Sequence, residues 1–302
     1  MSDHNMSEHL RQLLASMRAA LRPILPKRLR GDTPVVPVVR LSGVIGLSTP
    51  LKPGLTLAGV ARPLERAFRM GRARAVALVI NSPGGSPVQS HLIYRRIRQL
   101  AAENDRPVIA FAEDVAASGG YMIACAGDEI VCDPSSIVGS IGVVGGSFGF
   151  VGLMNKLGIE RRLYTAGERK VTLDPFLPEN PEDVARLKEL QQEIHAGFID
   201  LVKQSRGARL TGPEKTVFSG EYWTGTKAIE LGLADAIGDV RSTLRARFGD
   251  DVVTPLVSPP RGWFGRIQPG VAGLDGFMRR SDFAEEVISA LEARAIWARY
   301  GL

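Results

Sequence analysis

Short apolar runs rich in β-branched residues recur along this chain, and each is bounded by Gly, Pro or Asp. They lie at residues 35–46, 75–82, 107–115, 129–134 and 141–145. Runs of this length and composition are typical of strands that are buried on both faces. Between the second and third runs, apolar residues repeat with the period of a helix: Val88, Leu92, Ile93, Ile97 and Leu100. This order of strand, helix and strand predicts a β-α-β unit and a largely parallel sheet in an α/β fold.

The remaining patterns divide the chain into three parts. A helix is predicted from Pro181 to Ser205, and the sequence TGTKAIELGLADAIGD predicts a short helix followed by an extended return to the sheet. We therefore expect a main domain at residues 34–250, preceded by a basic amphipathic arm at residues 1–33. Residues 251–302 are predicted to form a Pro/Gly-rich linker and a terminal helix.

Residues 1–30 contain six basic and two acidic side chains, and the apolar residues of this arm repeat at helical spacing. Such a helix can lie on an anionic membrane surface, but it can equally dock on its own domain or on a neighbouring subunit. The arginines interrupt its apolar positions, so it resembles neither a secretory signal nor a transmembrane helix. These observations favour a cytoplasmic protein, or one attached peripherally to the inner face of a membrane.

The net charge of +6 does not by itself indicate a nucleic-acid partner, because aromatic residues make up only 6% of the chain and no basic recognition motif is present. The two cysteines, Cys125 and Cys132, lie in an apolar run and lack the C-x-x-C spacing of a redox or metal site. They are expected to be buried core residues.

Two glycine-rich turns directly follow predicted strands, NSPGGS at residues 81–86 and AASGGY at residues 116–121. Ligands of α/β proteins bind at the carboxyl ends of parallel strands. A serine such as Ser118 at a strand-to-helix turn can expose its hydroxyl beside free backbone N–H groups, although a Ser-Gly-Gly sequence is also an ordinary helix entry. A nucleophilic serine requires a base, and none of His4, His9, His91 and His195 has the flanking sequence of a catalytic histidine.

Four segments carry a resemblance to a known family: VINSPGGS, DVAASGGYMIACAGDEIVCDPSSIVGSIGVV, LYTAGERK and YWTGTKAIELGLADAIGD. In order and spacing they closely resemble the signal-peptide-peptidase-A family of serine peptidases, which use a Ser/Lys dyad on a Clp/crotonase-like fold of stacked β-α-β units. The resemblance covers about residues 35–245. This chain has a single copy of the peptidase region that resembles the family. Its basic arm lies where many members of the family carry a membrane anchor.

By position, the resemblance implies that Ser118 is the nucleophile and Lys170 the general base. Ser140 is then the hydroxyl that orients the lysine, and the oxyanion hole falls on the N–H groups of Gly85 and Gly119, with Gly84 in the same turn. A lysine acts as a base only in its neutral form, which an apolar environment favours. We expect Val171 and Leu173 to form part of the apolar environment of Lys170.

The family also implies a function and an assembly. It implies hydrolysis of apolar peptides such as signal-peptide remnants, a homo-oligomer, and no cofactor or metal. Two alternatives stay open: a catalytically inactive scaffold of the same fold at a membrane surface, and a crotonase-type acyl-CoA enzyme. The latter uses carboxylates, whereas these turns offer Ser118.

Overall fold

The computed structural model describes residues 33–46, 54–167, 169–258 and 294–301. Its centre is a parallel sheet with the strand order β1, β2, β3, β4 and β7. These strands are Val38–Ser42, Val76–Ser82, Val108–Ala117, Glu129–Cys132 and Ala236–Ile237. Strand β5, Ile137–Gly139, pairs in parallel with the last residues of β3, and β6, Tyr222–Thr224, runs antiparallel to β5. The long third strand therefore extends past β4 and places a second, smaller set of strands next to its carboxyl end.

Eight α-helices lie between residues 57 and 248, three of them between the central strands. Helix α1 is Leu57–Phe68, α2 is Pro87–Asn104 and α3 is Gly119–Ala124. They are followed by α4, Val151–Leu157, α5, Pro181–Arg206, α6, Glu214–Val217, α7, Gly225–Glu230, and α8, Val240–Phe248. None of the helices in the described residues combines the length and apolar character needed to cross a membrane.

Alternate residues of β2 and β3 enter two hydrophobic cores on opposite faces of the sheet. Leu78 and Ile80 of β2 pack on one face, in the core that includes residues of α1, α2, α3 and α5. Ala77 and Val79 point to the other face, where Leu244 of α8 packs. Because both faces are covered, the middle of these strands has to be apolar at successive positions, which is why residues 76–80 of β2 and 108–112 of β3 are unbroken apolar runs in the sequence.

The α/β class and the parallel sheet predicted from the sequence are confirmed, and the helix predicted from Pro181 extends to Arg206. The strand predicted at residues 141–145 is wrong. The strand in this region is β5, which ends at Gly139, and Ser140 follows it with a φ of 55° that turns the chain away from the sheet. Most of the predicted arm and most of the predicted terminal helix lie outside the described residues.

Candidate active site

Ser118 stands between the end of β3 and the first turn of α3. Its backbone has φ 52° and ψ −123°, a combination that costs a non-glycine residue about 1 to 3 kcal/mol. The backbone is held there from both sides: Ser118 N–H donates to the carbonyl of Gly139 at 2.8 Å, and its own carbonyl accepts from Met122 N–H at 3.0 Å. The Ser118 hydroxyl does not cap α3. Within the described residues the Ser118 hydroxyl has no hydrogen-bond partner, and Ser118 lines a cleft, an arrangement that a strand-to-helix turn can give to a nucleophile.

The glycine turn after β2 packs directly against this serine. A Cβ on Gly84 would lie 2.8 Å from Ser118 Cβ and 2.9 Å from the backbone nitrogen of Gly119. A Cβ on Gly85 would lie 2.1 Å from the carbonyl oxygen of Ile45. Both glycines have positive φ, 100° and 140°, so only glycine fits this turn without strain.

The N–H groups of Gly85 and Gly119 donate to no acceptor within the described part of the chain. Gly84 N–H differs, because it donates to Ser82 Oγ at 3.2 Å. Two free N–H groups beside a serine hydroxyl are the arrangement that stabilises the oxyanion of a tetrahedral intermediate. The geometry therefore allows Gly85 and Gly119 to serve as donors, and it gives Gly84 a packing role.

Ser118, Gly85 and Ser140 line one cleft of about 1180 Å³. Its wall also includes residues 142–144, residues 146–148, and Ala295, Ile296, Arg299 and Tyr300. The strained turn at Ser140 is tied to the second set of strands, since Ser140 N–H donates to the carbonyl of Glu221 at 2.7 Å.

His195, which the sequence interpretation left without a role, also lines this cleft. Its Nε2 lies 3.0 Å from the carbonyl oxygen of Ile141 on the turn that follows Ser140. Helical spacing alone does not reveal this contact, because it joins the middle of α5 to a loop far away in the sequence.

Lys170 is not brought to Ser118 within the described chain. It is exposed, it does not line the cleft, and its backbone nitrogen donates to the carbonyl of Gly167 at 3.3 Å. Val171 and Leu173 are only partly buried, so they do not enclose the lysine side chain. The structure thus groups Ser118, Ser140, Gly84, Gly85 and Gly119, and it leaves Lys170 on the surface.

Residues 101–247 match the family model described as Peptidase family S49. These residues make up just under half of the chain, and over them the chain is similar to peptidase family S49. The matched residues include Ser118, Ser140 and Lys170, whereas the glycine turn at residues 84–85 lies before them in the sequence. The resemblance to the signal-peptide-peptidase-A family is thereby confirmed.

Several curated proteins are similar to this chain. "Serine protease SPPA, chloroplastic" of Arabidopsis thaliana is 34% identical over 70% of this chain and 31% of its own length. "Protease 4" of Haemophilus influenzae is 33% identical over 59% of this chain and 29% of its own length. A Brucella abortus protein named "Na(+)/H(+) antiporter NhaA" is 55% identical over 93% of this chain. The chain spans only 39% of that Brucella protein, and less than a third of the other two.

Proposed function

We propose that this chain is a serine-type peptidase with Ser118 as its nucleophile. The observation that carries the proposal is the position of Ser118, on a strained turn between β3 and α3 that faces a large cleft. The glycine turn of residues 84–85 packs against the serine, and two free N–H groups lie beside it. The S49 match and the protease-named relatives support the same activity.

In the proposed reaction, Ser118 Oγ attacks the carbonyl carbon of the scissile peptide bond, and its proton passes to the base. The carbonyl oxygen becomes an oxyanion, to which Gly85 N–H and Gly119 N–H donate. One such donor contributes about 3 kcal/mol in well-studied peptidases. The base then gives the proton to the leaving amine, the C–N bond breaks, and an acyl-enzyme remains. Water deprotonated by the same base releases the acyl group and restores the serine.

Lys170 is our proposed base and Ser140 the residue that orients it. The segment before Lys170 also exposes apolar side chains that do not line the cleft, including Leu153, Leu157 and Ile159 at 54%, 62% and 54% exposure. Helix α4 in this segment buries none of its residues. Exposed apolar surface of this kind marks an interface. We infer that a homo-oligomer buries this segment and brings Lys170 of one copy to the cleft of its neighbour.

Two inactive variants test the arrangement of the dyad. Ser118→Ala and Lys170→Ala should each abolish hydrolysis, whereas Arg169→Ala, which removes the adjacent cation, should not. If the lysine acts across an interface, coexpression of the two inactive variants should restore part of the activity, because mixed oligomers contain some complete sites. Two inactive single variants without recovery in the mixture would place Lys170 in the cleft of its own chain. An active Lys170→Ala variant would refute the assigned base.

The cleft suits apolar peptides. Val143, Val144 and Phe148 line it, and no carboxylate is among its described lining residues. An acidic substrate side chain that packs against these three residues would be desolvated at a cost of a few kcal/mol, and among the described lining residues only Arg299 and His195 could offset that cost. We therefore propose cleavage after Leu, Ala or Phe and poor cleavage after Asp or Glu. Signal-peptide remnants fit this preference. A crotonase-type reaction lacks support, because it requires carboxylates in the cleft.

Residues 1–30 are proposed to attach the protein to an anionic membrane surface, at the inner face of the membrane. Each basic residue near such a surface contributes about 1 kcal/mol. Deletion of these residues should lower cosedimentation with liposomes that contain phosphatidylserine, while hydrolysis of a soluble peptide is unchanged. Equal sedimentation of both forms at low salt would assign the arm to assembly instead.

Labelling with a fluorophosphonate separates the peptidase from an inactive scaffold. The wild type should be labelled and should hydrolyse a leucine-rich peptide, whereas Ser118→Ala should do neither. Ser147→Ala is the matched control, because Ser147 lines the same cleft. That variant should be labelled like the wild type. Labelling that persists in Ser118→Ala, or a wild type that is neither labelled nor active, would overturn the proposal.

A further inference from the structure

Positive charge is concentrated at residues 62–74, where five arginines occur with a single acidic residue, Glu65. The five are called here the arginine edge: Arg62, Arg66, Arg69, Arg72 and Arg74. All of them are exposed. The roles assigned above to Ser118, Ser140 and the glycine turn do not account for this group of side chains.

Helix α1 directs three of these arginines to its outer face. The helix buries its other face in the core through Val60, Pro63, Leu64, Ala67 and Phe68. Arg62, Arg66 and Arg69 follow one another at intervals of four and three residues, which makes them neighbours on a helix surface. Together with Glu65 and Met70 they line a shallow groove of about 390 Å³. The groove therefore contains three cationic side chains and one carboxylate.

The charge of the arginine edge is not neutralised within the described part of the chain. Glu65 lies 2.7 Å from Arg96 of α2, so its carboxylate is engaged outside the edge. None of the five arginines forms an ion pair among the described residues. Arg66 donates to the backbone carbonyl of Ser258 at 3.3 Å, which is a neutral acceptor. Like charges on one face repel one another, and an anionic partner relieves that repulsion.

The arginine edge lies at the amino ends of the strands, on the opposite side of the sheet from the cleft. Val35, just before β1, bridges to Ala73, and Arg72 donates to the carbonyl of Thr33 at 3.0 Å. The basic arm of residues 1–30 is therefore joined to the domain at this edge. Ser118 follows the carboxyl end of β3. The seven residues of β2 alone separate the two edges of the sheet by about 20 Å.

We propose that the arginine edge binds the phosphate groups of an anionic membrane surface, and that the cleft at Ser118 consequently opens on the side of the domain that faces away from the lipid. Guanidinium groups suit this partner, because each can donate two parallel hydrogen bonds to a phosphate. A single-stranded nucleic acid is a poorer match, because Phe68 is buried and the edge has no other aromatic side chain on which a base could stack.

This inference deepens the membrane attachment proposed above, and it rests on that proposal for the choice of partner. It adds an orientation to the attachment. The arm and the arginine edge form one basic surface, so the domain meets the membrane with the amino ends of its strands. A peptide substrate then reaches Ser118 from the aqueous side, after it has left the bilayer.

Cosedimentation with liposomes tests the arginine edge in the full chain. The probe is a liposome with 30% phosphatidylserine in phosphatidylcholine, at low salt. The variant combines Arg62→Gln, Arg66→Gln and Arg69→Gln. Each basic residue that reaches an anionic surface strengthens binding about five-fold, so the partition coefficient of the variant should fall ten-fold or more. The difference from the wild type should disappear on liposomes of phosphatidylcholine alone and at 0.5 M NaCl.

A matched variant removes the same charge elsewhere. It combines Arg186→Gln, Lys215→Gln and Arg241→Gln, which are exposed, form no ion pair in the described chain and do not line the groove. This control should bind liposomes within two-fold of the wild type. Equal losses in the two triple variants would show that net charge drives binding, and they would overturn the proposal. Loss of single-stranded DNA binding in the edge variant, with unchanged liposome binding, would also overturn it.

An environment-sensitive dye tests the orientation. Gly71→Cys places a thiol within the arginine edge, and Gly146→Cys places one beside the cleft; a new Cβ meets no atom within 4 Å at either position. Cys125 and Cys132 are buried, so a thiol-reactive dye such as acrylodan should label only the new cysteine. Anionic liposomes should shift the emission of the dye at position 71 to shorter wavelength and leave the dye at position 146 unchanged. Equal shifts, or a larger shift at position 146, would overturn the orientation.

Deletion of residues 1–30 separates this inference from the proposals on which it builds. The deleted chain should keep residual liposome binding, and the three edge substitutions should remove it. If deletion alone abolishes binding and the edge variant of the full chain binds like the wild type, the arginine edge fails and attachment by the arm stands. If the edge substitutions weaken binding and the deletion does not, the arm fails and the edge stands. Fluorophosphonate labelling should be the same in all these forms, and its absence from every form would refute the peptidase alone.

Discussion

The buried ion pair between Arg206 and Asp235 gives the prediction with the largest effect on stability. The Arg206 side chain is fully buried, and two of its guanidinium nitrogens each lie 2.8 Å from an oxygen of Asp235, whose side chain is 18% exposed. Asp235→Asn preserves the shape of the side chain and leaves the guanidinium without a counter-charge. Removing one partner of a buried pair typically costs about 3 to 5 kcal/mol. We take about 3 kcal/mol, because Asp235 is partly exposed.

The assay is unfolding in urea, monitored by circular dichroism. With an m-value of about 3 kcal/mol/M, Asp235→Asn should lower the midpoint by about 1 M without changing the slope. The control is Asp250→Asn, whose partner is Arg245 and whose side chain is 82% exposed, and it should cost less than about 0.5 kcal/mol. Equal midpoints for the two variants would refute the argument that burial makes the first pair important.

The pH dependence of the same variant provides an independent test. Burial alone would raise the pKa of Asp235, but the hydrogen bonds from Arg206 and from Ile130 N–H outweigh it and lower the pKa. The carboxylate therefore stabilises the folded state above the unfolded-state pKa of about 4, and this contribution is lost as the pH falls through the lower folded-state value. The stability difference between the wild type and Asp235→Asn should be constant near neutral pH and should shrink below about pH 4. A difference that does not change on acidification would contradict the charge-based explanation.

Three further predictions concern the site and its surroundings. Gly85→Ala should reduce kcat by 100-fold or more, because the new methyl group meets the Ile45 carbonyl and displaces an oxyanion donor. Circular dichroism should show that the variant is folded. A loss of kcat below three-fold in the folded variant would show that Gly85 is not an oxyanion donor. Ser140→Ala should lower kcat less than Ser118→Ala does, and an unchanged rate and pH profile would exclude an orienting role. Burial raises the pKa of Cys125 to about 12 and that of Cys132 to about 11. Neither thiol should therefore react with DTNB in the native protein at pH 8, whereas both should react in urea. Rapid labelling of the native protein would show that the core around these cysteines opens.

The central strands could be predicted from the sequence because two-sided burial leaves an unbroken apolar run, as at residues 76–80 of β2 and 108–112 of β3. The strand predicted at residues 141–145 is wrong because apolar composition does not show where the backbone turns out of the sheet. Ser140 adopts a positive φ, and the apolar residues after it form the wall of the cleft instead of a strand. The positions of Ser118 and of the glycine turn followed from the rule that sites form at the carboxyl ends of parallel strands.

Other parts of the candidate site could not be predicted, because they depend on packing between distant segments. His195 reaches the turn after Ser140 from the middle of α5, and Tyr300 reaches Ser140 from a segment 160 residues further along the chain. Periodicity identifies the buried face of a helix, but it does not identify the loop that the helix meets. In the proposed homo-oligomer, the position of Lys170 depends on contacts with a neighbouring copy of the chain, which the sequence of one chain does not reveal.

The strand order of the sheet also determines when the site can form during synthesis. The turn at Ser118 is held by Gly139, and the turn at Ser140 is held by Glu221 beside β6. Contacts between residues so far apart form late in folding, after the intervening chain has been ordered. A growing polypeptide that has not yet released β6 from the ribosome therefore lacks the contact that holds the turn at Ser140. The candidate site is consequently incomplete until β6 has paired with β5, so a chain that is still being synthesised cannot yet present Ser118 and Ser140 in their final arrangement.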